Sequence, residues 1–270
     1  MKPIPNDDGS HTALGVQWID QLSVSAADDS HRDAGLWAFE TYNPNAMRGA
    51  SEHLALTRAD FLMLQETRVP PVSVKDTESS TANAGWRMSL EGCGYGDGGG
   101  LSAGAAVACR NHVGMDVACD DEIIPDELKG RFKLRVIGAV VKGGINVGSC
   151  YLHSSLGVTS KLNMDLLQSI AAVLNTVVGP WVLGGDWNCT PEQLEKTGWL
   201  KLVKGRVCAP KLATCMERTI DFFVVSENLA ASVYDTVVVN DALSHPHKPA
   251  RLYLRAEPRQ AVVRQLQSIV

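Results

Sequence analysis

Asp186 and Asn188 stand one residue apart where the apolar run Pro180–Leu183 breaks at Gly184-Gly185. Two glycines after an apolar run read as a strand entering a tight turn. In extended backbone, residues two apart point the same way, so this acid and amide project together from a strand end. Open α/β sheets place their chemistry at such ends. An Asx-turn capping the strand, with a helix starting at Thr190-Pro191-Glu192, accounts for the same residues. The pattern recurs: Asn43 follows Leu36–Tyr42, Glu66 follows Phe61–Leu64, and Asp221 lies inside Ile220-Asp221-Phe222-Phe223. A buried acid such as Asp221 is costly unless paired, and histidine is a usual partner, which directs attention to His247. Carboxylates and imidazoles are the groups that bind hard cations and carry protons. Singly, each position also has a plain explanation. Glu66 can open a loop, Asn43 before Pro44 can be a turn, and His247 can be a loop residue between prolines.

The elements that must position these groups follow from periodicity. The domain proper begins with a strand at 36–42, which Pro44 forbids from continuing. A short helix is expected at 51–58, a strand at 61–64, a Ser/Thr-rich loop at 72–83 and a strand at 86–90. The run 92–104 holds seven glycines but no Gly-Lys-Ser/Thr, so it reads as a hairpin loop and not a phosphate cradle. Strands follow at 103–109, 132–141 and 145–151, and a helix at 163–176. After the strand before Asp186 come a short helix from Pro191 and strands at 219–226, 233–239 and 250–254. A helix at 259–269 ends the chain. Residues 1–35 form a loose acidic arm, 36–256 the domain, and 257–270 a helical tail. Strands and helices mix without strict alternation, and neighbouring strands look hairpin-linked, which favours two packed mixed sheets with outer helices.

The 270 residues are 45% hydrophobic, enough to bury a full core. Apolar runs are short and broken, so no membrane span or membrane partner is expected. Seven cysteines without a CxxC pair argue against a disulfide framework or a thiolate zinc site, and place the chain in a reducing nuclear or cytoplasmic compartment. The net charge is −5, most of it in residues 1–35, where six acids face Lys2 and Arg32. In the nearly neutral body, Arg131, Lys133 and Arg135 alternate with apolar residues, so a strand would show three cations on one face. Lys201, Lys204, Arg206 and Lys211 make a second basic stretch. Either is a solvated face or a phosphate track.

The ordered landmarks resemble the endonuclease/exonuclease/phosphatase superfamily over about residues 36–256. Tyr42-Asn43-Pro44-Asn45 is similar to its first strand-end motif and Leu64-Gln65-Glu66-Thr67 to its Gln-Glu-Thr motif. Cys150-Tyr151 resembles its phosphate-binding tyrosine, Gly185-Asp186-Trp187-Asn188 its Gly-Asp-x-Asn motif, and Ile220-Asp221-Phe222 its Ile-Asp-Tyr/Phe motif. Pro246-His247-Lys248-Pro249 is similar to its terminal histidine motif. The resemblance implies an α/β/β/α four-layer sandwich of two mixed, mainly antiparallel sheets flanked by helices, as in deoxyribonuclease I. It implies Mg²⁺ (or Mn²⁺) held at Glu66 and Asn45, with Asp186, Asn188, Asp221, His247, Tyr151 and Asn43 catalytic. Arg131, Lys133 and Arg135 would bind the substrate, a nucleic acid taken as DNA, cut by a monomeric retrotransposon-type endonuclease. A phosphatase of the same fold, acting on a small or lipid phosphate ester, is the alternative. Asn45 and Pro246 stand where many relatives carry acids, which is the support for a third reading, a binding domain without catalysis.

Overall fold

The computed structural model describes residues 22–95, 99–118, 128–242 and 245–255, together with the backbone of three short N-terminal strands. Those strands, β1 (Ile4–Pro5), β2 (His11–Ala13) and β3 (Val16–Trp18), pair antiparallel. The expected helix at 259–269 lies outside the described residues. The first large sheet runs β4 (Ser23–Val24), β17 (Val233–Val239), β18 (Ala250–Arg255), β5 (Leu36–Tyr42), β6 (Phe61–Leu64), β10 (Ala105–Arg110) and β7 (Trp86–Glu91). The second runs β11 (Met115–Val117), β12 (Phe132–Ile137), β13 (Ile145–Tyr151), β14 (Trp181–Asp186), β16 (Asp221–Ser226) and β15 (Gly205–Cys208). Both are mixed and mainly antiparallel; the parallel neighbours are β4/β17, β5/β6 and β13/β14. The glycine-rich stretch is a hairpin as expected, its arms β8 (Gly94–Tyr95) and β9 (Leu101–Ser102) paired antiparallel.

Period-two alternation sorts the strand residues into layers. Phe39, Phe61, Met63, Val107, Val147, Val182, Phe223 and Leu252 meet between the sheets. Ala38, Tyr42, Leu62 and Val237 face outward and pack with Ala50 and Leu54 of α2 (Met47–Leu56). On the far side, Leu183, Phe222 and Val224 pack under α4 (Lys161–Leu174) and α6 (Trp199–Val203), through Leu167, Ile170 and Trp199. Helix, sheet, sheet, helix is thus the layer order, and the expected four-layer sandwich is the fold.

The sheets approach closely at Gly184. A Cβ there would meet Thr41 Cβ at 2.7 Å and Met63 Sδ at 2.8 Å, both on the opposing sheet. At Gly185 a Cβ would lie 2.6 Å from the Cys150 carbonyl of the adjoining strand. The glycines belong to β14 itself, and the expected tight turn after Leu183 is replaced by three more strand residues, Gly184, Gly185 and Asp186. Beside them Gln65 donates from Nε2 to Thr41 Oγ1, the Met63 carbonyl and Ser149 Oγ, at 3.1, 3.0 and 2.9 Å. That amide ties the first sheet to β13 of the second.

Other stretches differ as well: the strand expected at 132–141 stops at Ile137, and the helix expected at 51–58 begins at Met47. Residues 74–83 are a helix, α3 (Val74–Asn83), where a loop was read from the Ser/Thr content. Thr77 and Ser79 hydroxyls donate to carbonyls four residues back, so they bond along the helix instead of competing with it. The stretch just before Leu36 is anchored, not loose. Ser23–Val24 joins the first sheet beside β17, and His31 of α1 (Ser30–Asp33) is buried against Asp60 at 3.1 Å. Fully buried Arg251 reaches back to the carbonyls of Ala26 and Asp28 at 2.9 and 2.8 Å. Its Nε donates to Glu40 at 2.7 Å, and His53 lies 2.6 Å from the other Glu40 oxygen. Burial would raise the Glu40 carboxyl, but Arg251 and His53 outweigh it and hold it at about 2.

The sheet contact makes a direct prediction. Gly184→Ala should lower the unfolding free energy by ~1–3 kcal/mol, the usual cost of overpacking a filled core. Gly94→Ala, with open space around its Cβ position, is the control. Urea unfolding of both variants checks it, and equal midpoints would remove Gly184 from the sheet contact.

Candidate active site

Strand ends from both sheets converge on one pocket of polar groups. Asp186 and Asp221 are the last residue of β14 and the first of β16, and they are direct partners in the antiparallel register. Both are buried. His247, from the segment leading into β18, places Nδ1 3.0 Å from each Asp221 oxygen, while its Nε2 lies 3.9 Å from Asp186 Oδ2. From the first sheet, buried Asn43 donates through Nδ2 to Asp186 Oδ2 at 2.9 Å and to Glu66 Oε2 at 3.3 Å. Tyr151, ending β13, donates its hydroxyl to Glu66 Oε1 at 2.8 Å. All these groups were singled out in the sequence, and the fold brings them together.

Local sequence explains how each is held. Trp187 is fully buried, stacked on Phe222 and near Trp199, and its indole N–H donates to the Phe222 carbonyl. This anchor sits between Asp186 and Asn188. The backbone N–H of Asn188 donates to Asp186 Oδ1 at 3.0 Å, so the strand does end in an Asx-turn. The turn and the site are the same structure. Asn188 does not project alongside Asp186: its φ is +49°, and its amide swings to the Leu152 carbonyl at 2.9 Å. Asn43 repeats the device, its Oδ1 accepting from the Asn45 N–H at 2.9 Å. Glu66 itself is left-handed, with φ +48°, at a cost of order 1–3 kcal/mol that a site-forming segment carries. Thr214 was missed in the sequence; its hydroxyl accepts from the N–H groups of Ile220 and Asp221 and fixes the start of β16. Cys215 was missed as well, and lies 3.7 Å from His247 Nε2. Nothing in its sequence context marked it, because the contact joins segments 32 residues apart.

Burial and proximity set the charges. Burial, then the neighbouring Asp221 carboxylate, push Asp186 up to about 7, against the pull of His247, Asn43 and the Asn188 N–H. Burial pulls His247 down, but the hydrogen bond and charge of Asp221, followed by Asp186 and Glu66, outweigh it and raise the ring to about 9. Tyr151 is pushed well above the usual phenol range by burial and by Glu66, so its hydroxyl stays protonated and donating.

A hard divalent cation fits the donor chemistry of Glu66, a half-buried carboxylate at the pocket wall. Asn45 is exposed at φ +63° and joins the site through its backbone N–H, so it stands at the rim. Asp186, Asp221 and His247 also bring ligand atoms within 4.8 Å of one another. In that trio, however, Nδ1 of His247 is already committed to Asp221.

The expected substrate face of Arg131, Lys133 and Arg135 needs correction. That side of β12 turns toward β7 of the opposing sheet, not to solvent. Lys133 is buried with Nζ 3.0 Å from Glu91, and Arg135 is buried with Nε donating to Ser89 at 2.8 Å. Neither is a phosphate track. Arg131 alone reaches the site, its guanidinium 5.0 Å from the Tyr151 ring. Lys201, Lys204, Arg206 and Lys211 of the second basic stretch are exposed, as are Arg48, Arg218 and Lys248 among others.

Two mixed sheets with strand-end carboxylates, amides and one histidine at a common edge define a class of phosphate-ester enzyme folds. The chain belongs to the Endonuclease/Exonuclease/phosphatase family, which matches residues 37–249. Among solved structures it is similar to the AP endonuclease LMAP from Leishmania major. The TM-score is 0.62 at 16% identity, covering 90% of this chain and 97% of that one. It is similar also to the 3′ phosphatase NExo from Neisseria bound to product DNA hairpin, with TM-score 0.59, 16% identity, and 81% and 99% covered. The endonuclease domain of TRAS1, a telomere-specific non-LTR retrotransposon, aligns with TM-score 0.57 at 13% identity, covering 82% and 99%. At these identities the likeness is one of fold. No curated protein sequence matches the chain significantly. Among the described residues no helix is long and apolar enough to cross a membrane.

The histidine–carboxylate pair can be tested without substrate. His247 should titrate near 9 by NMR, and Asp221→Asn should lower that value by removing the largest influence that raises it, with Asp186 and Glu66 left to oppose burial. A His247 titration unmoved by Asp221→Asn would disprove the pairing.

Proposed function

We propose that this chain is a divalent-metal-dependent phosphodiesterase that hydrolyses nucleic acid, in the manner of a retrotransposon-type endonuclease. The observation that carries the reading is one connected cluster: Glu66 and Asp186 bridged by Asn43, and Asp186 beside a His247 held by Asp221. In-line attack on a phosphodiester needs an activated water, neutralised phosphoryl oxygens and a leaving group held in line. Ionised Asp186, anchored on two donors, takes the proton of the attacking water. Protonated His247 points Nε2 into the same space and donates to a phosphoryl oxygen, while Asp221 holds the ring by Nδ1. Asn43 and Tyr151 keep Glu66 and Asp186 in place with their N–H and O–H donors. Asn188 braces the loop by its bond to Leu152. Glu66, with Asn45 at the rim, would hold Mg²⁺ or Mn²⁺, which when bound would neutralise charge on the phosphate.

The burial of Lys133 and Arg135 supports a second reading. Strong tracking of a polyanion requires several exposed cations, and this chain has lost two of those expected. A phosphatase acting on a small or terminal phosphate ester needs fewer.

Supercoiled plasmid incubated with the protein and Mg²⁺ should be nicked, and EDTA should stop it. Asp186→Ala and His247→Ala should each lower kcat by at least ~10², the scale of general acid–base and oxyanion-stabilising groups. Hydrolysis of simple phosphate esters with intact plasmid selects the second reading, and failure on both rejects enzymatic function.

The same assignments make the pH profile bell-shaped. Asp186 works ionised, so kcat/KM should rise as pH climbs through about 7. His247 works protonated, so the rate should fall as pH passes about 9. A profile flat across this range, measured under conditions where chemistry limits, would overturn both roles.

A further inference from the structure

Arg68 has no role in the hydrolysis just described, yet its guanidinium lies on the carboxylate assigned to the metal. Nη2 stands 3.5 Å from Glu66 Oε1, the oxygen that also accepts from the Tyr151 hydroxyl. Oε2 accepts from Asn43, so both Glu66 oxygens already face donors. The Arg68 side chain is 39% exposed and that of Glu66 15%, so water reaches the pair. Nε of Arg68, by contrast, is buried and has no hydrogen-bond partner among the described residues. A buried donor left unpaired is costly, and asks for an explanation beyond folding.

The fold builds this placement. Glu66 and Arg68 are both left-handed, with φ +48° and +52°. The backbone between them is clamped: the Thr67 N–H donates to the Gly104 carbonyl at 3.1 Å and the Arg68 N–H to the Ala103 carbonyl at 3.0 Å. Gly104 permits that approach, since a Cβ there would lie 2.4 Å from Thr67 Oγ1. Strain held in place at two non-glycine residues marks a segment built for more than connection.

We propose that Arg68 is the resident cation of Glu66: it holds the carboxylate until a divalent ion takes it, and the released guanidinium then donates to the substrate phosphate. A guanidinium and a divalent ion that share one acceptor oppose each other, so each weakens the other's hold on Glu66. The surroundings favour the arginine. Asn45 brings no charge to the rim, and Arg131 adds a second cation 5.0 Å from the Tyr151 ring. Hard cations bind more tightly as ligand charge rises, so this carboxylate flanked by arginines is a weak metal site by itself. A phosphate ester changes the balance. It adds negative charge for the metal and offers the guanidinium a planar pair of acceptor oxygens. Metal and phosphate therefore bind with mutual support, and no covalent bond changes in the exchange. The phosphate half of this inference rests on the function proposed above; the competition requires only a divalent ion at Glu66.

The test titrates the full chain, without substrate, with Mn²⁺ alone, following free Mn²⁺ by electron paramagnetic resonance. Glu66→Gln should weaken binding at least ~10-fold, which locates the ion. Arg68→Met and Arg68→Gln should each tighten it ~3-fold or more, the span of a part-exposed ion pair, while Arg68→Lys stays within ~2-fold of wild type. A residue that merely braced Glu66 would do the reverse, because loosening the carboxylate loses affinity. With supercoiled plasmid at saturating Mg²⁺, Arg68→Met should lower kcat/KM at least ~10-fold, the loss of a phosphate donor. Tighter metal with slower turnover is the expected signature. Urea midpoints verify the fold of each variant. Mn²⁺ affinity unchanged or weakened in both neutral variants with native midpoints overturns the competition, as does a Glu66→Gln variant that binds like wild type. If affinity tightens and the wild type hydrolyses nothing, the competition stands and the proposed function falls. If affinity tightens and plasmid turnover is unchanged, the phosphate role of Arg68 is wrong.

Discussion

Two carboxylates, Asp186 and Asp221, are placed side by side by the β14/β16 register and then buried. Two like charges at that spacing in a poorly solvated site repel, and burial penalises each of them. The structure around them is the answer to that constraint. His247 supplies the opposite charge, held on Asp221 by Nδ1 and facing Asp186 with Nε2. Asn43 and the Asn188 N–H give Asp186 its hydrogen bonds, and the Thr214 hydroxyl satisfies the backbone that delivers Asp221. Proton affinity is displaced as a result: Asp186 ionises late and His247 holds its proton long. Asp186 is moved up toward neutrality and His247 is moved above it, so between pH values of about 7 and about 9 an ionised carboxylate and a protonated imidazole coexist, as paired acid–base work requires.

That arrangement depends on how closely the sheets approach, because Asn43 and Glu66 come from one and Asp186, Asp221 and Tyr151 from the other. Gly184 removes the side chain that would hold them apart, and Gln65 adds a polar tie at the same level. Glu66 follows Gln65 directly, so the residue that fastens the sheets also aims the residue at the pocket wall. The left-handed backbone at Asn45, Glu66 and Asn188 belongs to this region, and well-packed neighbours hold it there.

The basic strand shows where alternation misleads. Arg131, Lys133 and Arg135 do share a face, as their spacing required. Which neighbour that face meets is decided by the second sheet, and β7 meets it with Glu91 and Ser89. The chain alternates cations with Phe132 and Leu134 because both sides of β12 are covered. One side is covered by the helical layer and the other by polar groups of a sheet. The Ser/Thr-rich segment at 74–83 misled for a related reason. Its hydroxyls bond to carbonyls one turn back, a local choice that composition does not reveal.

The sequence by itself determined the class of fold and named the acids, amides and histidine that the fold gathers. Period-two patterns fixed most strands, and acids and amides at their ends named Asn43, Glu66, Asp186, Asp221 and His247, because strand ends and buried-acid pairing are local or nearly local properties. It also offered an Asx-turn at Asp186 as an alternative to a site, and the structure shows both in the same residues, since the donor is only two residues away. Tertiary structure alone decided which carboxylate holds which nitrogen of His247, that Gly184 serves sheet contact rather than a turn, and that Lys133 and Arg135 are inside. It alone put Cys215 against the histidine. Those outcomes depend on distances between segments tens to hundreds of residues apart, and such distances are set by the packing of two sheets, which no single strand encodes.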